Sequence, residues 1–265
     1  MSTDLPTSRS AATASVVLAE RILTHWRRHP LVPLQSLLLP ALLLVTYHLM
    51  VSRSMVRLTG ADNLGALVSM CTVAGAMMGS IGAGFQIPVD RDNGLLGRFW
   101  VQPVRRGSFL AAILLAEAAR TAMAGSLILL LGMAFGLRFE GGWLAVIPFL
   151  LIPVALIAVF ATIVTMVAVH PRSTSMLTVL GAVSIGMAFC TGGVAPVELF
   201  PGWLQPAIAV QPLTHVVDAM QALAGGELAG KSLLMSAAWL LGLAVLFAPL
   251  AARGYRRAAE SGGCG

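Results

Sequence analysis

Six stretches of the chain are apolar over the length a helix needs to cross a bilayer: Leu31 to Met50, Leu64 to Ile87, Phe109 to Leu137, Trp143 to Val169, Met176 to Val194 and Leu233 to Ala252. At a rise of about 1.5 Å per residue, roughly 20 such residues span a hydrocarbon core of about 30 Å. Inside that core the segment must satisfy its own backbone N–H and C=O groups, so stretches this long and apolar are helices. Composition agrees, with 57% of 265 residues hydrophobic and 11% charged, against about a quarter charged in an ordinary soluble domain. The expected fold is an all-α integral membrane protein with six transmembrane helices.

The cations orient it. With the N-terminus inside, the inner segments carry Arg9, Arg21, Arg27, Arg28, Arg91, Arg98, Arg105, Arg106, Arg172, Arg253, Arg256 and Arg257, and the outer ones only Arg53, Arg57, Arg138 and Lys231. Positive charge is retained on the cytoplasmic side, so an N-in, C-in topology is expected. Residues 1–30 then form a cytoplasmic tail with an amphipathic helix, residues 31–252 the six-helix membrane domain, and residues 253–265 a second cytoplasmic tail. The net charge of +6 is explained by this bias. No basic face interleaved with aromatics accompanies it, which excludes nucleic acid as a partner. Cys71, Cys190 and Cys264 lie far apart and suggest neither a disulfide framework nor a metal site. The first thirty residues hold no short apolar core with a small-residue cleavage site, so no cleaved signal peptide is expected.

Outside the spans, Val16, Leu18, Ile22, Leu23 and Trp26 alternate with Glu20, Arg21, His25, Arg27 and Arg28 at helical spacing, as in a helix lying on the inner leaflet or an ordinary cationic flank. The cytoplasmic loop 89–108 offers helix-start chemistry at Asp90, Asp92 and Asn93. An apolar ridge of Leu95, Leu96, Phe99 and Trp100 follows, and Pro103 stops it. Exposed aromatic and Arg side chains on one short helix suit a protein interface; the alternative is a ridge lying on the membrane. Residues 195–231 are too broken by Pro196, Pro201, Pro206 and Pro212 to span. Two short amphipathic helices, Trp203 to Val210 and Leu213 to Leu223, are expected to dip back into the outer leaflet. Gly75, Gly79, Gly82 and Gly84 in the second span allow close helix approach, within the chain or at a dimer seam.

Polar groups inside the spans are few. Glu117 and Arg120, three apart on one helical face, are expected to pair, either as a structural ion pair or lining a cavity. His48 reads as interfacial, and Glu198 and His215 as exposed groups flanking the broken segment. Gly225 to Ser232, GGELAGKS, fits the phosphate-loop pattern G-x-x-x-x-G-K-[ST] by letter. A working phosphate loop follows a strand and opens a soluble helix. Here the preceding residues read as helix and the following ones enter the bilayer, so no nucleotide site is expected. No Ser/His/Asp set, HExxH or paired carboxylates support a membrane hydrolase, and no metal or catalytic site is expected.

These residues carry a resemblance. An Arg-acid pair, then Gly, Leu, Arg and a Pro before the third span, occurs at Arg91, Asp92, Gly94, Leu95, Arg98 and Pro103, followed by Arg106. Pro196, Pro201, Trp203, Gln211 and Pro212 follow the fifth span. The chain resembles the membrane-spanning half of bacterial ABC exporters of the second type, the daunorubicin-resistance permeases. Two departures stand out: Asp92 replaces the usual Glu, and Gln221 lies where the family usually places an Arg nearby. The resemblance implies that loop 89–108 is a coupling helix docking on a separate ATPase through Asp92, Arg98, Phe99 and Trp100. It implies two ATPase subunits, a second permease half, identical or related, and a bacterial cytoplasmic membrane. ATP and Mg would be held in the ATPase and no cofactor in this chain, which would itself be no enzyme. The cargo would be a hydrophobic or amphipathic compound such as a drug, lipid or glycolipid. A secondary transporter or channel without ATP coupling is the alternative; it would call for more midplane polar groups and an inverted repeat.

Overall fold

The computed structural model describes residues 38–50, 64–92, 107–168, 170, 173–193, 196–227 and 230–261. Among them every regular element is helical. In chain order these are α1 (Leu38–Met50), α2 (Leu64–Asp92), α3 (Gly107–Ala134), a 3-10 turn (Trp143–Ala145), α4 (Val146–Ala168), α5 (Ser173–Phe189), a second 3-10 turn (Val197–Leu199), α6 (Gln205–Val210), α7 (Pro212–Ala224) and α8 (Gly230–Ser261). The stretches Leu64–Val89, Ala111–Ala134, Trp143–Ala168 and Gly230–Phe247 are long and apolar enough to cross a bilayer, while Leu38–Met50 and Ser173–Phe189 are apolar but shorter. The amphipathic segment before residue 31, and the first part of the stretch Leu31 to Met50, lie outside the described residues.

Three helix ends differ from expectation. Helix α2 runs on past Ile87 to Asp92 through Pro88, so Asp90 and Asp92 lie in its last turn. Extending a nucleated helix costs far less than starting one, and this outweighs the capping preference of an Asp. Helix α5 stops at Phe189, short of Val194, because Thr191, Gly192 and Gly193 are poor helix formers. Helix α3 stops at Ala134, where Gly136 at φ 108° closes a Schellman turn. There Leu137 N–H reaches the Gly132 carbonyl at 2.9 Å and Gly136 N–H the Met133 carbonyl at 3.0 Å.

Helix α2 is the hub. It packs against α3, α4, α5 and α7, and 83% of its most apolar stretch is buried within the chain, against 6% for α8. Its Val68, Met70 and Val73 share the core with Ile128 of α3, Phe149 and Ile157 of α4 and Leu177 of α5. Small residues make this crowding feasible. A Cβ at Gly75 would meet Pro40 of α1, one at Gly84 would meet Val164 of α4, and one at Gly132 would meet Val68. A Cβ at Gly79 would meet Arg120 of α3, so Gly75 and Gly79 both pack against neighbours within the chain.

Large apolar side chains cover the outside. Leu130, Leu151, Val179, Leu234, Leu241 and Val245 are all more than half exposed. Water is an unfavourable solvent for so continuous an apolar surface, and lipid a favourable one. The chain is a multi-pass membrane protein.

Candidate functional site

The Glu117 carboxylate and Arg120 guanidinium meet on α3, one turn apart. Nη2 donates to Oε2 at 2.6 Å and Nε to Oε1 at 3.4 Å, with Glu117 3% and Arg120 4% exposed. The same Nη2 donates to the Ala76 carbonyl of α2 at 3.1 Å. Gly79, one turn further along α2, makes room: a methyl there would fall on the guanidinium. Nη1 has no hydrogen-bond partner although buried. An unpartnered buried donor of this kind costs about 1–3 kcal/mol, so the arrangement is not one that maximises stability.

On the other face of α2 lies an apolar groove against α5. Met77, Met78, Ile81, Gly82 and Phe85 form one wall and Gly181, Ser184 and Ile185 the other, around a cavity of about 200 Å³ open along one side. Two glycines shape it. A Cβ at Gly82 would meet nothing within 4 Å and would point into free space, whereas one at Gly181 would touch Ile81 at 3.3 Å. Sequence reasoning named Gly82 as a packing residue and missed the groove. Its signal was present in Gly82 and Gly181, which sit among Met and Phe side chains, but nothing local says that these two helices face each other.

The segment after α5 folds back on that helix. Gln211 Nε2 donates to the Cys190 carbonyl at 2.8 Å, the Met187 carbonyl at 3.3 Å and Thr214 Oγ1 at 2.9 Å. The Thr191 hydroxyl donates to the Ala188 carbonyl at 2.8 Å. These donors cap the C-terminus of α5, whose last carbonyls have no helical partners. Pro196 precedes the 3-10 turn that contains Glu198, and Gln205 Nε2 donates to the carbonyls of Phe200 and Glu198. Pro212 opens α7. Trp203, Glu198 and Gln221 are exposed, whereas His215 is half-buried. Burial lifts the Asp218 carboxyl above its ordinary range, and His215 one turn away pulls it partly back. His48 stacks on Phe135 with ring centres 4.5 Å apart.

GGELAGKS follows a helix and opens one. Gly225 ends α7, and Gly230 begins α8 with Lys231 exposed. Gly226 has φ +67°, and a Cβ on it would lie 2.7 Å from the Gly141 nitrogen and 2.9 Å from the Glu140 carbonyl carbon. Packing against the α3–α4 loop accounts for this glycine. Of the expected ATPase contacts, Arg91 and Asp92 form the end of α2; Gly94, Leu95, Arg98, Phe99, Trp100 and Pro103 lie outside the described residues.

The family model of the ABC-2 type transporter matches residues 14–224. The chain belongs to the ABC-2 type transporter family. Among its relatives is the "Probable doxorubicin resistance ABC transporter permease protein DrrC" of Mycobacterium tuberculosis, 30% identical over 260 residues, which cover 97% of this chain and 94% of the relative. The "Daunorubicin resistance ABC transporter permease protein DrrB1" of Streptomyces coeruleorubidus is 25% identical over 95% of this chain and 89% of its own length. The "Putative transport permease ycf38" of Cyanophora paradoxa is 22% identical over 76% of this chain and 71% of its own. As an ABC-2 permease the chain is a transmembrane subunit. The groove and the buried pair both lie within its family-matched region.

Proposed function

We propose that this permease is half of the membrane pathway of an ATP-driven exporter in a bacterial cytoplasmic membrane. Its cargo is hydrophobic or amphipathic, such as a drug, lipid or glycolipid, and its energy comes from a separate ATPase that holds the ATP and Mg. The α2–α5 groove is the observation that carries this reading. Apart from the Ser184 hydroxyl its lining side chains are apolar, which suits a cargo that leaves water readily and orients itself by few polar contacts. At about 200 Å³ the cavity is smaller than the roughly 300–1,000 Å³ that encloses a drug-sized molecule. Its open side is the natural place for a second permease half, identical or related, to complete the site.

In this reading all six apolar stretches cross the membrane with both termini inside. Loop 89–108 meets the ATPase through Asp92, Arg98, Phe99 and Trp100, and residues 195–231 form the external re-entrant helices. Two ATPase subunits close on ATP beneath two permeases, and their movement reaches the groove directly, because α2 runs unbroken from the groove wall to Asp92.

Substitution of Gly82 tests the groove. Gly82→Ala, which meets no neighbour, keeps transport; Gly82→Leu fills the groove and lowers doxorubicin export from cells by about tenfold or more, equivalent to raising the transport barrier by about 1.4 kcal/mol or more. Wild-type export by Gly82→Leu, at equal membrane abundance, would remove the groove from the pathway. Failure of tagged protein to bring down a soluble ATPase would remove the ATP-driven reading, and wild-type transport-coupled ATP hydrolysis in Arg98→Ala/Trp100→Ala would remove loop 89–108 as the docking site.

A further inference from the structure

We propose that Arg120 is a positioning residue for the α2–α5 groove: from α3 it holds the groove-forming turn of α2 from behind and thereby sets the groove's width. The proposal rests on the groove being the functional part of the permease, but it concerns the groove's shape and can be tested without a cargo.

The geometry is that of a clamp. At about 100° per residue around a helix, Met77, Met78, Ile81, Gly82 and Phe85 share one side of α2, and Ala76 and Gly79 face away from it by about 160°. Arg120 touches those two back residues, through a hydrogen bond to the Ala76 carbonyl and through van der Waals contact at Gly79. Ala76 lies inside α2, so its carbonyl also takes part in the helix's own ladder; the bond from Arg120 is additional and ties one helix to another. The guanidinium is itself held in place by the two bonds it donates to the Glu117 carboxylate, which fixes the plane of the fork. Across the groove a Cβ added at Gly181 would touch Ile81 at 3.3 Å, so little more than a methyl's width separates the two walls there and a shift of this turn changes the groove width directly. Packed interiors transmit such shifts instead of absorbing them.

Stability alone is a poor reason for the pair. A buried ion pair is commonly no more stable than well-packed apolar side chains of the same volume, and this one leaves Nη1 without a partner. What two leucines could not supply is a directional bond to a backbone carbonyl at a distance fixed by a rigid fork. Gly79 belongs to the same device, since any side chain there would displace the guanidinium.

The test reads distance. The chain with Cys71→Ala, Cys190→Ala and Cys264→Ala is labelled with spin probes at Gln86→Cys and Val183→Cys, exposed positions on the two helices that wall the groove, and placed in lipid nanodiscs. A second pair, Leu151→Cys and Leu241→Cys, reports the distance between α4 and α8. Gly79→Ala and Arg120→Lys each shift the groove distance by about 2 Å or visibly broaden it, the scale of helix shifts in switching proteins. The α4–α8 distance stays put. Because both substitutions act on one contact, the double variant moves the groove no further than the larger single shift. If Gly79→Ala does not fold, Arg120→Lys carries the test alone. Unchanged groove distances would overturn the proposal, and so would equal shifts in both label pairs, which would mark Arg120 as a general structural support. Loss of the export reading through Gly82→Leu would leave these distances untouched, so the two failures are distinguishable.

Discussion

At Gly226 the backbone turns with φ +67° directly against Glu140 and Gly141, where Glu140 N–H also donates to the Ala224 carbonyl at 3.1 Å. A left-handed conformation costs an L-residue about 1–2 kcal/mol, and the added methyl would press on backbone atoms that cannot rotate away. Gly226→Ala is therefore expected to destabilise the permease by about 2 kcal/mol or more, seen as a lowered thermal midpoint in detergent. Lys231→Ala, at an exposed position, leaves that midpoint unchanged; an equal loss at both would mean that the motif acts as a unit. The sequence was enough to doubt a phosphate loop, because helix precedes GGELAGKS and an apolar span follows. It could not say why the glycine is needed, since the partner loop is distant in the chain. The Glu117–Arg120 pair divides the same way. Its i,i+3 spacing was legible from one helix, whereas Ala76 and Gly79 depend on how α2 and α3 cross.

Among the elements, apolar length located the helices well and helix ends poorly. A stretch of hydrocarbon-length apolar residues has one solution in lipid, but its end is decided by which side chains reach the last carbonyls. Gln211 is the clearest case. It was noted for its place in a Pro-rich run, and its side chain caps α5 from the far side of the turn at 190–193. Gln211→Leu keeps the volume and removes the donors, leaving the Cys190 and Met187 carbonyls without them at a cost of about 1–3 kcal/mol. The loss should be local. Hydrogen exchange at the last turn of α5 and at 190–193 is expected to rise by about tenfold or more, as a local opening made easier by 1.4 kcal/mol does, while α2 keeps its protection. Unaltered exchange at 190–193 would show that Pro212 and the apolar face of α7 hold the segment by themselves.

For the whole molecule, burial divides the helices in a way that a span count cannot. Helix α2 is enclosed by its own chain, whereas α8 touches it through α4 and α7 and turns most of its surface outward. Orientation, in contrast, is proposed from charge: with all six apolar stretches crossing, twelve arginines would fall on one side and four cations on the other. Since Lys231 begins the last span and Arg98 lies between the second and third, single cysteines at these two positions separate the two possible orientations. In the background lacking Cys71, Cys190 and Cys264, Lys231→Cys is expected to react with a membrane-impermeant maleimide on intact cells. Arg98→Cys should react only after permeabilisation. The reverse pattern would place loop 89–108 outside, where no cytosolic ATPase could reach it, and would end the coupling proposal together with the topology. Equal labelling of both in intact cells would break the six-span count itself. The expected pattern puts GGELAGKS on the side without ATP and leaves α2, from its groove wall to Asp92, as the element that connects cargo to energy.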